Sequence, residues 1–320
     1  MSAWLPSAPC TPQGCALHPG PAVGALITAA RLLAGALTVA VGLLFLPVAM
    51  LLDVRVRDRL TRRWARVVVR AFGVRIRIVG GRTDGPPGPR GALVVANHIS
   101  WLDIPLVAAA LPGRMLAKSE VRRWPVLGPL AAWGGTLFVE RDRLRMLPAT
   151  VGRIAAALGG GSRVIAFPEG STWCGRDQGR FRHAVFQAAL DAGVAVQPVR
   201  ITYLPTGAAA FVGDDPLVVS LWRVAAAGGL TAEIRLLPVI PAGSCPDRRS
   251  LARAAQSGLA ASWPGFVAHT AATAHTTVTA RPTAAAQPAV ARDSANLPSL
   301  SVHQCVSSIP ASASSLRTPS

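Results

Sequence analysis

Between Leu32 and Leu52 the chain runs twenty-one residues without a charge. A helix of that length is enough to cross a hydrocarbon core of about 30 Å. No Lys or Arg precedes Arg31, and the run is too long for the apolar core of a secretory signal, so it reads as an anchor that is kept. Pro47 kinks such a helix near its end; a re-entrant hairpin that enters and leaves on one face is the structural alternative. Directly beyond come Arg55, Arg57, Arg59, Arg62, Arg63, Arg66 and Arg70, with Leu60, Trp64, Val67, Val68 and Ala71 at helical spacing between them. That pattern predicts a basic amphipathic helix, suited to a membrane surface or to packing on the rest of the protein through its apolar stripe.

Downstream the period changes. Val74–Val79 alternates apolar residues with Arg75 and Arg77, a half-exposed strand, and Gly80–Gly91 is a loop rich in Gly and Pro. Ala92-Leu93-Val94-Val95 reads as a buried strand, Ile104–Leu111 as a helix, Met115–Lys118 as a short strand and Pro148–Leu158 as a helix stopped by three glycines. Trp124–Trp133, broken by Pro125 and Pro129, reads as an irregular membrane-facing or tunnel-lining segment. Val164–Ala166 is strand-like, Arg180–Leu190 is a helix ended by Gly193, and the apolar runs at Val196–Val199, Leu217–Val224 and Ala232–Val239 complete the pattern. This alternation predicts an α/β fold: a mixed, partly parallel sheet flanked by helices, with an N-terminal membrane-anchoring helix and a disordered C-terminal tail.

The expected organisation is a disordered leader at 1–21, the anchor at 22–53, the basic helix at 54–72, the main domain at 73–265 and a tail at 266–320. The leader has five prolines and neither Lys nor Arg. After Phe266 there is no aromatic residue, and a tail of Ala, Thr, Ser and Pro buries too little surface to offset its ordering entropy. The positive-inside bias places the bulk of the chain in the cytoplasm, since the arginines begin only at the anchor and cluster after it.

The formal charge of +18 in 320 residues first suggests nucleic acid. Lys118 is the only lysine, however, and no basic patch interleaved with aromatics or nucleic-acid motif accompanies the arginines, so anionic lipid is the better partner and nucleic acid is not expected. Cys10, Cys15, Cys174, Cys245 and Cys305 are scattered without Cys-x-x-Cys or Cys/His ligand spacing, so neither a metal site nor a disulfide framework is expected. His183 follows Cys174 by nine residues, but no other feature supports a catalytic thiol.

The chemistry gathers at Ala-Asn-His-Ile-Ser-Trp-Leu-Asp, residues 96–103, at the end of the buried strand. His98 and Asp103 are five apart, so a strand-to-helix turn lets the carboxylate fold back on the imidazole and hold one ring nitrogen while the other faces a cleft. A helix-capping Asp beside a core His has the same spacing. Three further stretches follow: Phe138-Val139-Glu140-Arg141, Phe167-Pro168-Glu169-Gly170-Ser171-Thr172 and Val196-Gln197-Pro198-Val199. By themselves Arg141 suits a surface charge cluster, and Pro168–Gly170 a turn.

In order and spacing the four stretches resemble the sequence blocks of the glycerolipid acyltransferases, most closely the bacterial 1-acylglycerol-3-phosphate acyltransferases, over roughly residues 70–210. The resemblance implies His98 as general base and Asp103 as the group that orients it. Acceptor binding falls to Asn97, Arg141, Glu169, Gly170, Ser171 and Thr172. Ser100 and Ser171 lie nearby, but a Gly-x-Ser-x-Gly elbow is absent, so the acceptor's own hydroxyl attacks directly.

The implied reaction moves a fatty acyl group from acyl-CoA or acyl carrier protein to the free hydroxyl of 1-acyl-sn-glycerol 3-phosphate, giving phosphatidic acid. The donor is a substrate and no further cofactor is needed. A lyso-ornithine lipid or another lysolipid is the alternative acceptor, and a non-catalytic membrane-surface interaction protein is the alternative class. One departure stands out: many members read Glu-Gly-Thr-Arg in the third block, whereas here Glu169-Gly170 is followed by Ser171 and Thr172. The implied location is the cell membrane, with the catalytic domain on the cytoplasmic face.

Overall fold

The computed structural model describes residues 8–17, 20–81, 91–125, 127–140 and 144–262. Arg141 and the stretch expected as a tail lie outside the described residues. Seven strands, β1 (Arg75–Val79), β2 (Ala92–Ala96), β3 (Arg114–Lys118), β4 (Leu137–Val139), β5 (Arg163–Ala166), β6 (Ala195–Leu204) and β7 (Thr231–Leu236), form one sheet in the order β1-β7-β6-β2-β5-β3-β4. Only the β6–β7 pair is antiparallel. The sheet is therefore mixed and mostly parallel.

The helices among the described residues are α1 (Pro12–Cys15), α2 (Ala25–Met50), α3 (Val54–Ala71), α4 (Asp103–Ala110), α5 (Leu127–Trp133), α6 (Leu147–Gly159), α7 (Ala184–Ala192), α8 (Leu217–Ala226) and α9 (Arg248–Ala261). α3 and α4 pack together on one face, with α2 against α3 and α8, while α6, α7 and α9 pack on the other. β2 lies between β5 and β6, so both its edges are paired, and the helices on the two sides of the sheet cover its faces. Leu93, Val94, Val95 and Ala96 are fully buried, which is why this strand reads as a continuous apolar run and not as an alternation. Because β2, β5 and β6 are parallel, their C-terminal ends emerge at one edge of the sheet, where ligand sites of open parallel sheets form.

α2 and α3 form a helical hairpin. Gly35 lies under the ring of Phe72 and Gly42 under the ring of Trp64, with no room for a Cβ at either position. The Trp64 indole N–H donates to Thr38 O at 3.0 Å, and these pairings make the two helices antiparallel. Arg31, the one charge within α2, donates to Ala225 O and Ala227 O at 2.8 and 3.0 Å, where α8 has free carbonyls. The opposite side of α2 carries Leu33, Leu37, Val41, Leu44, Phe45 and Val48, all exposed. α2 is long and apolar enough to cross a membrane by length and composition. α3 runs back beside it with its seven arginines, so the hairpin sets an apolar stripe next to a basic helix.

Four expectations change. The leader is not unstructured over its described part: Cys10 and Ala16 are buried, Gly14 N donates to Thr11 Oγ1, and Pro21 O accepts from Gly228 N at 2.7 Å. Backbone carbonyls of Cys10, Cys15 and Leu17 lie against Gly207 and Gly213, whose bare backbones allow close approach. Trp124–Trp133 contains the helix α5, because Pro129 falls in its first turn, where a missing N–H costs nothing. α7 starts at Ala184 and not at Arg180, since Gly179 and Arg182 spend their backbone N–H groups on Glu169 and Pro168 instead of on a helix. α9 was not foreseen; Asp247 and Ser250 form a capping box at its start.

Candidate active site

The end of β2 turns at Asn97 and enters α4 at Asp103, and the turn is wound around one carboxylate. Asp103 Oδ2 accepts from His98 Nδ1 at 2.8 Å, from Ile99 N at 2.6 Å and from Ser100 N at 2.8 Å. Its Oδ1 accepts from Tyr203 Oη at 2.6 Å. Four donors thus converge on a side chain with no exposed surface. With Nδ1 donating to Asp103, a neutral His98 ring carries its lone pair on Nε2, and the His98 side chain keeps 21% exposure. Phe167, from the end of β5, stacks on the imidazole at 4.2 Å between centroids and 16° between planes, which fixes the ring's orientation.

Tyr203 is the residue that sequence reasoning missed. It lies on β6, one hundred positions from Asp103, and burial followed by the Asp103 charge holds its hydroxyl well above the ordinary tyrosine range. It therefore stays a phenol and donates. Its signal was its rarity: it is the only tyrosine in the chain.

The third block braces the first. Glu169, 3% exposed, accepts His98 N at 2.8 Å through Oε2 and Gly179 N at 3.2 Å through Oε1. Trp173 N donates to His98 O at 2.7 Å, so both backbone polar groups of His98 are tied to the loop 167–174. Gly170, at φ 79°, makes the turn that permits this. Asn97 similarly staples β2 to β6, its amide donating to Ile201 O at 2.9 Å and accepting Ile201 N at 2.8 Å.

Asn97 and Glu169 are buried, and both polar ends of each are hydrogen-bonded to backbone of the site. Ser171 and Thr172 are half-buried beside them. Ser100 is fully buried, with its Oγ accepting Leu102 N at 3.3 Å, which suits a turn and not a nucleophile. Arg176, four residues beyond Thr172, donates to Gly14 O at 3.2 Å.

The chain matches the Acyltransferase family over residues 79–202. It is 40% identical over 220 residues to a lyso-ornithine lipid O-acyltransferase of Pseudomonas aeruginosa, covering 67% of this chain and 82% of that protein. It is 35% identical over 199 residues to a 1-acyl-sn-glycerol-3-phosphate acyltransferase of Neisseria meningitidis serogroup B, covering 61% and 77%. The crystal structure of the 1-acyl-sn-glycerophosphate acyltransferase of Thermotoga maritima shares the fold, with a TM-score of 0.58 at 19% identity over 73% of this chain and 92% of that one. The chain belongs to the glycerolipid acyltransferase family. It is an acyltransferase enzyme of lipid biosynthesis.

Glu169 supplies a pH test. Burial raises its carboxyl to about 8, against the pull of the His98 and Gly179 N–H groups and with a further push from the Asp103 charge. The stability linked to this group is complete below the ordinary carboxylate value and is lost as pH rises through about 8. Denaturant unfolding of wild type and Glu169→Gln should show the wild type's relative stability falling from about pH 5 to about pH 8. Parallel curves would mean that Glu169 does not take up a proton on folding.

Proposed function

We propose that this protein transfers a fatty acyl group from acyl-CoA or acyl carrier protein directly to the free hydroxyl of a lysolipid. The carrying observation is the His98–Asp103 pair: a ring held through Nδ1, with Nε2 available at the open edge of the sheet. His98 Nε2 takes the hydroxyl proton as the oxygen attacks the thioester carbonyl. The new C–O bond forms, the tetrahedral intermediate collapses, the C–S bond breaks, and the proton passes from His98 to the departing thiolate. Asp103 orients the ring and stabilises its protonated form.

Two acceptors fit this chemistry. We put a lyso-ornithine lipid first, because Thr172 stands where a phosphate site gains an arginine and Arg176 is turned to Gly14 O. The similarity to the Pseudomonas aeruginosa enzyme supports this reading. The second reading is 1-acyl-sn-glycerol 3-phosphate, giving phosphatidic acid; the Neisseria meningitidis relative and the guanidinium of Arg141 favour it.

The exposed apolar stripe of α2 supports a seat at the cell membrane, and the arginines of α3 favour an orientation with the catalytic domain on the cytoplasmic face. Digestion of the domain by protease added outside intact spheroplasts would contradict that orientation. For the acceptor, kcat/KM is to be measured with both lysolipids on wild type, Thr172→Arg and Arg141→Ala. The expected result is faster wild-type use of the lyso-ornithine lipid, with Thr172→Arg lowering KM for the phosphate acceptor by about tenfold, the equivalent of one modest charge-assisted hydrogen bond. Robust wild-type turnover of 1-acyl-sn-glycerol 3-phosphate that Arg141→Ala removes, with little use of the other acceptor, would establish the second reading instead.

A further inference from the structure

The sulfur atoms of Cys10, Cys15 and Cys174 all lie within 4.8 Å of one another. Cys10 precedes α1 and Cys15 ends it, whereas Cys174 is 159 positions beyond Cys15 in the loop after β5, so the trio has no ligand spacing that a sequence could show. Thiolates around one tetrahedral zinc, each at about 2.3 Å from the ion, stand roughly 3.8 Å apart. The 4.8 Å within which the three sulfurs lie is compatible with that separation after small side-chain shifts.

The surroundings of Cys174 suit a thiolate, whereas burial raises the Cys10 thiol. Cys174 Sγ accepts the backbone N–H groups of Arg176 and Asp177, in a turn made possible by Gly175 at φ 84°. Such N–H···S bonds are outer contacts that orient a metal-bound thiolate. The Arg176 guanidinium, on Gly14 O beside Cys15, brings positive charge to a site where three thiolates and a divalent cation leave a net negative one. The sulfurs pack among Ala8, Ala210, Val212 and Trp173. A single helical turn such as α1 has little stability of its own, so something beyond helix propensity must fix the N-terminal segment.

We propose that Cys10, Cys15 and Cys174 form a three-thiolate site for one thiophilic cation of the Zn²⁺ class, which pins the N-terminal segment to the loop that braces His98. Cys174 adjoins Trp173, whose N–H holds His98 O, so an ion here stiffens the wall of the active site from behind. A disulfide uses only two of the sulfurs and leaves the third unexplained. Binding the ion releases the thiol protons. The inference stands on the cluster alone and is independent of which acceptor the enzyme uses.

The test uses full-length protein purified in detergent with a phosphine reductant and no chelator. Elemental analysis should find about one zinc per chain, and Co²⁺ added after chelation should give a thiolate-to-cobalt charge-transfer band in the near ultraviolet. Cys15→Ser, at the half-buried member, should weaken Co²⁺ binding by more than about tenfold, the loss that even outer partners of a metal site can cause. Cys10→Ser and Cys174→Ser should abolish the band, and chelation should lower the Tm of wild type but not of Cys15→Ser. Wild-type protein that carries no metal and gives no band would overturn the proposal. So would a disulfide between two of the three cysteines in protein isolated without reductant, or a band unchanged in Cys15→Ser.

Discussion

A buried carboxylate is the constraint on which this structure turns. An unpaired charge in the interior of a protein costs several kcal/mol even after relaxation, so Asp103 can occupy a fully buried place only if donors surround it. Four do, and they come from three sources: the His98 ring, two backbone amides of the 97–103 turn, and the phenol of Tyr203 on the neighbouring strand. The turn takes its shape from this need, and the shape presents His98. The order of the sheet follows the same logic, because β6 must lie beside β2 for Tyr203 and the Asn97 staple to reach.

Glu169 braces the same turn from the other side. Its two oxygens hold the amides of His98 and Gly179, while Trp173 N holds His98 O, so the loop after β5 is a splint for the base. A block that resembles a substrate-binding motif thus places its acidic residue in the protein's own hydrogen bonding. Its neighbours Ser171 and Thr172 are left as the half-buried positions next to the base. The N-terminal segment reaches the same loop through Cys10, Cys15 and Arg176, so the back of the site is built from three distant parts of the chain.

Elements with strong local patterns were legible in the sequence. The uncharged run that becomes α2, the arginine-studded stripe of α3 and the apolar run of β2 each declare their class through period and composition. The His98–Asp103 pair was legible because its geometry is local, five residues across one turn. What depends on long-range pairing was not: Tyr203 meets Asp103 across one hundred positions, and Asn97 spends its amide on Ile201 across 104. A short segment of small residues and prolines looks unstructured until the surface that receives it is known, which is why the leader was misread. Alanine-rich α9 hid for a different reason, since its mean character is polar and only the cap at Asp247 marks its start.

The central claim is that His98, held by Asp103, is the base for direct transfer to the acceptor hydroxyl. It is tested most directly by the acyl-transfer rate of purified His98→Ala, assayed with a thioester donor and a lysolipid after its Tm has been shown to match wild type. The account predicts a rate lower by roughly 10²- to 10⁴-fold at unchanged stability. Transfer at the wild-type rate by the folded variant would contradict it.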